Sequence, residues 1–395
     1  MNPTLRRVLH QLRAAWMLLA VCVILAIASP VFATSANLLN VALATSVTAL
    51  LAAGQTFVII LAEIDLSVGA ILGFSAAITA MVLRHHSTIT GIVVGLAVGA
   101  AAGLVNGLLV TKTRMPSFIA TLATLSILSG LALQLTQGNP VSVTDYNFQN
   151  IGQARIAGIP TPVWIMIVVF VIFGILLART RFGRYAYATG DNAEAARLSG
   201  ISVDRVKILA FVISGALAAL AGFIVTARLS TAEPTAGTGL ELEAIAAVII
   251  GGTSLAGGRG DLLGTIVGAL ILGVIDNGMN LLNVNPFLQD VVKGVVILFA
   301  VLLDRNADVI RGWIRRKPPA ASLPPTGRTS PHSCPPERHN QPRQRGAPTS
   351  TKRQNLRRHP QVSSNSQGES DAQPQERADR HRGAWHRNPG LDRLQ

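Results

Sequence analysis

Nine polar or charged side chains lie within or beside long apolar stretches of this sequence. They are the residues that could contact a polar solute, because a charge at the centre of a bilayer costs about 2.5–3.5 kcal/mol unless it faces a pathway or a partner. Asp65 and Glu243 also allow a structural interpretation, in which each supports the first turn of a helix. The candidates for lining a solute pathway are Gln55, Asp65, Asn106, Glu241, Asp276 and Asn277; Glu63, Glu243 and Asn280 complete the set.

Residues 191–200 form a second group, which lies in a polar segment between two apolar stretches. Asp191 is predicted to cap a short helix and Glu194 to complete a capping box, while Gly200 supplies the left-handed stop. A helix of about two turns is marginal in water alone, so it either joins two membrane spans or docks on a partner. Residues 191–200 are here called the coupling segment. Its candidate contact residues are Asp191, Glu194, Ala195, Ala196, Arg197 and Gly200.

No catalytic or metal site is predicted. The sequence contains no Gly-Lys-Ser or Gly-Lys-Thr, so it has no phosphate-binding P-loop, and an active process would need a separate ATPase subunit. Neither Cys22 nor Cys334 has a Cys or His at metal-ligand spacing, and the adjacent His85 and His86 favour a loop. The prediction is a chain without cofactor, metal or enzymatic activity of its own.

Composition predicts an integral membrane protein. Of the 395 residues 49% are hydrophobic and only 14% are charged, which exceeds what a soluble domain of this length needs to fill its core. The net charge of +14 does not indicate a nucleic-acid partner, because it is divided between short loops and a C-terminal tail. Residues 1–317 carry 21 Lys and Arg against 14 Asp and Glu, and residues 318–395 carry 13 against 6.

The apolar stretches predict about ten transmembrane helices. Their runs are continuous rather than alternating, which favours helices over barrel strands, since helices satisfy their own backbone in lipid. The first stretch follows three arginines and resembles a secretory signal, but it is nearly long enough to span a bilayer and is predicted to be retained. The ten spans are near residues 14–32, 40–61, 66–83, 90–110, 117–136, 161–178, 207–228, 243–256, 262–282 and 288–303.

Basic residues in the short loops predict the orientation. With the N-terminus in the cytosol, the basic positions at 112–114, 179–207, 259 and 305–317 all fall on the cytosolic side, together with both termini. The loops assigned outside, 137–160 and 229–242, carry almost no basic residues. The coupling segment is therefore predicted to be cytosolic.

The predicted organisation is a cytosolic N-terminus (1–13), a transmembrane domain (14–305) and a cytosolic basic tail (306–395). The tail is rich in Pro, Arg, Gln and Ser, a composition that cannot bury a core and is typical of disorder; a shifted reading frame is an alternative origin. Spans four and nine share glycines at about every fourth position, followed by Asn-Gly and Pro-Phe or Pro-Ser-Phe. Such ladders predict close helix packing, and the offset of five spans suggests inverted five-helix repeats.

Several stretches together resemble the permease subunits of ATP-binding cassette (ABC) importers, in the branch that handles ribose, xylose and related simple sugars. Glu-Ala-Ala at 194–196 followed by Gly200 is similar to the loop that docks on the ATPase in these permeases. One departure is Ala62-Glu63, where the family usually has Gly-Gly. The resemblance covers about residues 40–305 and rests on residues 54–59, 64–69, 104–107, 116–122, 180–185, 241–247, 251–260 and 277–278.

The resemblance implies a multi-pass permease of the cell inner membrane that imports a monosaccharide. Its implied partners are an ABC ATPase subunit, an extracytoplasmic sugar-binding protein and a second permease copy, either identical or a close paralogue, all within membrane lipid. Two alternatives stay open: a branched-chain amino acid permease of similar architecture, and a self-sufficient secondary carrier.

Overall fold

The apolar runs fold into helices, as their continuous hydrophobicity predicts. The computed structural model describes residues 3–314, with side chains from 14 to 302; the predicted tail beyond residue 314 lies outside them. The helices are α1 (Pro3–Ala28), α2 (Ser35–Ile60), α3 (Val68–Leu83), α4 (Thr88–Lys112), α5 (Ser117–Thr136), α6 (Tyr146–Gln153), α7 (Thr161–Arg179), α8 (Arg181–Asp191), α9 (Ala193–Leu198), α10 (Val203–Leu229), α11 (Leu240–Ile250), α12 (Leu262–Leu281) and α13 (Pro286–Ile314). The strands are β1 (Val141–Ser142), β2 (Arg155–Ile156), β3 (Ile159–Pro160) and β4 (Thr231–Ala232).

Each of the ten predicted spans coincides with a helix, although the lengths differ. Within the described residues, six helices are long and apolar enough to cross a membrane: α2, α4, α5, α7, α10 and α12. The prediction of a span over 243–256 is wrong in extent, because α11 ends at Ile250, where Gly251 and the left-handed Gly252 (φ +94°) follow. Eleven residues rise only about 16 Å, roughly half the thickness of a bilayer core. Helix α13, in contrast, is longer than predicted, because it continues past residue 305, the predicted end of the transmembrane domain.

The glycine ladder of α4 packs closely on its neighbours: Gly91 and Gly95 lie against α3, and the later glycines lie against the backbone of α10. A Cβ atom on Gly99 would lie 2.5 Å from the Gly215 carbonyl oxygen, and one on Gly103 would lie 2.1 Å from the Phe211 oxygen. The ladder of α12 repeats this contact on α11, where a Cβ on Gly268 would lie 2.0 Å from the Ala247 oxygen. Both helix pairs therefore approach to a distance that only glycine permits.

Helices α2 and α10 form the centre of the bundle. Helix α10 contacts α3 and α4, while α2 contacts α11 and α12, and α2 and α10 also pack on each other. Beyond them, α5 lies on α3 and α13 lies on α11. The helices that surround α2 are thus each five spans later in the sequence than the corresponding helices around α10: α11 corresponds to α3, α12 to α4 and α13 to α5.

One end of the bundle, here called the strand end, gathers residues 137–160 and 229–239. Strand β1 pairs antiparallel with β4, and β2 pairs with β3. Gln153 Nε2 donates to Ser230 Oγ at 2.9 Å, and Thr88 Oγ1 at the start of α4 donates to Asp145 Oδ2 at 2.8 Å. The two loops predicted to lie outside are therefore in contact.

The opposite end, here called the glycine-loop end, gathers residues 61–64, 187–207 and 251–260. Ala62 adopts φ +60°, a left-handed conformation that costs a non-glycine residue about 1–2 kcal/mol and explains why the resembling family has glycine there. Glu63, the other departure, forms an ion pair with Lys207 at the start of α10. The unusual Ala62-Glu63 pair is thus accommodated by one strained residue and one salt bridge.

The close approach of α4 to α10 generates a stability prediction. Gly99→Leu should prevent normal assembly, because its side chain would collide with backbone atoms, whereas overpacking against flexible side chains typically costs only about 1–3 kcal/mol. Gly130→Leu in α5 is the matched control, since a Cβ there meets nothing within 4 Å. Yield of folded protein and thermal unfolding in detergent measure the difference; equal stability of the two variants would contradict the packing described.

Candidate functional site

A cavity of about 260 Å³, lined by both polar and apolar side chains, opens among the halves of α2, α11 and α12 that lie toward the strand end. It is smaller than the roughly 300–1,000 Å³ of sites for drug-sized ligands, so its size suits a small solute. Amide, hydroxyl, carboxylate and guanidinium groups on its wall can donate and accept hydrogen bonds with such a solute. The polar wall residues include Asn40, Thr45, Arg228, Glu243, Asp276 and Asn277.

Two carboxylates of this wall share one lysine. Lys293 Nζ lies 2.7 Å from Glu243 Oε1 and 3.7 Å from Asp276 Oδ2, so it joins α13 to α11 and α12. The three side chains are between 15% and 31% exposed. In such a weakly hydrated place an unpaired carboxylate is costly, and the lysine offsets much of the charge of both acids.

A reciprocal pair of amides holds α2 to α12 beside the cavity. Asn37 Nδ2 donates to Asn277 Oδ1 and Asn277 Nδ2 donates to Asn37 Oδ1, both at 2.9 Å. The Asn37 amide also donates to the Phe32 carbonyl oxygen at 3.0 Å. Asn277 therefore reaches the cavity while its amide group is oriented by Asn37.

Three predicted pathway residues lie elsewhere, in a fully buried network among α2, α3, α4 and α10. Asp65 accepts hydrogen bonds from Ser67 Oγ at 2.6 Å and from Ser214 Oγ at 3.0 Å. Asn106 Nδ2 donates to Ser67 Oγ at 2.8 Å, and Gln55 Nε2 donates to the Asp65 carbonyl oxygen. Asp65, Gln55 and Asn106 thus organise the start of α3 rather than line the cavity.

Neither Asp65 nor Glu243 caps its helix, since the N-cap of α3 is Ser67, but Asp65 does hold the residue at that position. Asp65 Oδ1 also accepts from the Ser67 backbone nitrogen at 3.0 Å, directly before the first turn of α3. Glu243 caps no helix, because the N-cap of α11 is Gly239, and the Gly239 nitrogen donates instead to Glu241 Oε1 at 3.2 Å. Glu241 is therefore occupied by its own helix start, where it lies close to Gly69 of α3.

The coupling segment contains one short helix, α9, and a second helix, α8, ends at its first residue. The prediction that Asp191 caps the short helix is wrong: Asp191 is the last residue of α8, and Asn192 is the N-cap of α9. Asn192 Oδ1 accepts from the backbone nitrogens of Glu194 at 3.1 Å and Ala195 at 2.9 Å. Asparagine and aspartate are equally good N-cap residues. Asn192 is the cap rather than Asp191 because its backbone is extended, as an N-cap requires.

The end of α9 agrees with the prediction. Gly200 has φ +82°, the left-handed conformation expected of a helix stop. Arg197 lies in the last turn, and its guanidinium is 3.8 Å from Asp204. Only Ala196 of the segment is buried, while Glu194, Ala195 and Arg197 are exposed and Leu198 is 83% exposed. Helix α9 therefore presents mostly exposed side chains to its surroundings.

Sequence reasoning missed Lys293 and Arg228 as parts of the site. A signal existed for Lys293, because it is a basic residue inside the predicted span 288–303, where a charge requires a partner. No sequence signal placed Arg228, the last basic residue of α10, at the wall of this cavity.

The family model described as "Branched-chain amino acid transport system / permease component" matches residues 37–301. The chain belongs to this permease family. Its members are transport components rather than enzymes.

The alignments of this chain with curated relatives extend over most of each relative's length. The ribose import permease protein of Bacillus subtilis (strain 168) is 52% identical over 287 residues, which is 72% of this chain and 89% of the relative. The L-arabinose transport system permease protein of Escherichia coli (strain K12) is 42% identical over 281 residues, 71% and 86% of the two chains. The L-arabinose ABC transporter permease protein of Azospirillum brasilense is 38% identical over 282 residues, 71% and 83%. No solved structure gives a significant match.

The lysine shared by Glu243 and Asp276 generates a second prediction. Lys293→Gln should lower the free energy of unfolding by about 2 kcal/mol, because two partly buried carboxylates lose their cation. Lys293→Arg keeps the charge and is the control, with a smaller loss. Thermal unfolding in detergent measures both; a Lys293→Gln protein as stable as the unchanged permease would show that this ion cluster contributes nothing.

Proposed function

We propose that this chain is the membrane-spanning subunit of an ABC importer in the inner membrane and that it translocates a monosaccharide such as ribose or arabinose. The observation that carries the proposal is the identity of 38–52% to sugar permeases over more than four fifths of their length. The polar cavity supports it, because hydroxyl groups of a sugar are matched by amides and carboxylates on one wall.

A branched-chain amino acid substrate is the alternative that the family's description suggests. The sugar is favoured because the relatives reported above are described as ribose import or L-arabinose transport permeases. A self-sufficient secondary carrier is less supported, because such a carrier has no use for a docking surface on α9.

The proposed topology has ten spans in two inverted five-helix repeats, with both termini in the cytosol and the permease domain over residues 14–305. The repeated order of packing around α2 and α10 supports the repeats, since α4 relates to α10 as α12 relates to α2. Helices α3 and α11 occupy equivalent positions in the two halves, and both are short, a feature of transporter repeats near a central pathway. On this topology the strand end faces outside and the glycine-loop end faces the cytosol.

The proposed partners follow from this orientation. An ATPase subunit that hydrolyses ATP docks on α9, and an extracytoplasmic sugar-binding protein delivers its ligand at the strand end. A second permease copy, identical or paralogous, covers the face on which the cavity opens, because Asn40 and Asn280 are exposed there and polar side chains are poorly tolerated against lipid. The remaining apolar faces contact lipid.

Reconstitution tests the function directly. The permease, its ATPase and its binding protein in proteoliposomes should accumulate labelled ribose or arabinose only when ATP and the binding protein are both supplied. Labelled leucine is the comparison substrate. Uptake of leucine in preference to either sugar, or sugar uptake that needs no ATP, would refute the proposal.

The coupling segment provides a variant test. Gly200→Val should abolish sugar-dependent ATP hydrolysis and uptake, because a β-branched residue resists the left-handed backbone by about 1 kcal/mol or more and redirects α9. Glu194→Lys should be worse than Glu194→Ala, since lysine also opposes the helix dipole. Gly158→Val is the matched control, because Gly158 has nearly the same backbone (φ +81°) but lies between β2 and β3 at the strand end. If Gly200→Val and Gly158→Val hydrolyse ATP equally well, α9 is only a connector.

A further inference from the structure

The loop 251–260 connects the two helices that carry Glu243 and Asp276, and it is held to the end of α8 and the end of α2. Tyr187 of α8 donates its phenolic hydrogen to the Gly260 carbonyl oxygen at 2.7 Å. The Gly258 nitrogen donates to the Ile60 carbonyl oxygen, at the last residue of α2, at 2.8 Å. Three segments that are distant in sequence therefore meet through hydrogen bonds to the backbone.

Glycines allow the three backbones to touch directly. A Cβ atom on Gly190 of α8 would lie 1.8 Å from the Ile60 oxygen and 2.7 Å from the Gly258 nitrogen. A Cβ on Gly258 would lie 2.9 Å from the Asp191 Cα. No side chain lies between these backbones that could absorb a displacement by changing its rotamer. A movement of α8 is therefore transmitted directly to α2 and to the loop.

The chain that follows the coupling segment is also held near the end of α2. Lys207, four residues into α10, forms the ion pair with Glu63, three residues after the end of α2. Both side chains are largely buried. The segment that contains α9 is thus anchored near the end of α2 both before and after α9.

The same elements reach the cavity at their far ends. Helix α2 runs from Ile60 to Thr48 on the cavity wall, a distance of about 18 Å along a continuous helix. The loop 251–260 joins the end of α11 to the start of α12. These two helices carry Glu243 and Asp276 on the cavity wall. One rigid junction therefore connects the docking segment to three cavity-lining helices.

We propose that Tyr187, together with the contact of Gly190 with Gly258, is a positioning group that transmits movement of α8 and α9 to α2, α11 and α12. The proposal rests on the proposed function, because it assigns the route by which ATP hydrolysis reaches the sugar pathway. Tyr187 touches neither the sugar cavity nor the exposed surface of α9. Its loss should therefore separate ATP hydrolysis from transport rather than stop both.

The test uses the complete transporter in proteoliposomes and measures sugar imported per ATP hydrolysed. Tyr187→Phe keeps the ring and removes the hydrogen bond from its hydroxyl to the Gly260 carbonyl oxygen, so sugar imported per ATP should fall about fivefold while ATP hydrolysis stays near normal. Gly190→Ala should reduce the ratio further, because its methyl group pushes α8 away from Ile60 and Gly258. Tyr185→Phe is the matched control: Tyr185 lies on the same helix, is exposed, and its hydroxyl makes no hydrogen bond among the described residues.

Each outcome decides the proposal. A normal ratio in Tyr187→Phe would overturn it, and so would equal loss of hydrolysis and uptake, which would mean that Tyr187 only holds the docking surface. Thermal unfolding in detergent verifies that each variant is folded; if Gly190→Ala is not, the Tyr187→Phe and Tyr185→Phe pair decides alone. Failure of the unchanged transporter to import sugar with ATP would refute the proposed function instead.

Discussion

A polar group placed between apolar helices is stable only beside a partner, and this constraint organises most of the permease. Asp65 is fully buried and accepts hydrogen bonds from Ser67 and Ser214, which fixes the start of α3 against α10. Lys293 meets the same requirement for Glu243 and Asp276 near the cavity. The first network is fully buried, although the side-chain oxygens of Gln55 and Asn106 accept no hydrogen bond among the described residues; the second is 15–31% exposed and leaves hydrogen-bonding capacity for a solute. Burial, rather than residue type, separates the two roles.

Much of the helical architecture could be predicted from the sequence, because long apolar runs in lipid have few alternatives to a helix. The glycine ladder of α4 and the left-handed Gly200 were also predictable, since each depends on a property that only glycine provides. The short length of α11 was harder to foresee. Its apolar run continues through Thr253 and Leu255, and only the local backbone at Gly252 ends the helix at Ile250.

The site was less accessible to sequence reasoning, because it depends on which helices are neighbours. Asp276 and Asn277 were identified and lie on the cavity wall, whereas Asp65, Gln55 and Asn106 have similar chemistry but lie within the bundle. Spacing could not distinguish these sets, since both occur near the ends of apolar runs. The cap of α9 shows the same limit on a smaller scale, because Asp191 and Asn192 are both good capping residues and only the dihedral angles select Asn192.

The Asn37–Asn277 pair has a consequence for the conditions under which the wall of the cavity keeps its shape. Neither amide titrates and neither carries a net charge, so the bond between α2 and α12 is insensitive to acid and to ionic strength. The neighbouring cluster around Lys293 consists of partly exposed ions, whose attraction is weakened by dissolved salt. The two sides of the cavity therefore differ in their response to salt: added salt leaves the contact of α2 with α12 unchanged and weakens the contact of α13 with α11 and α12.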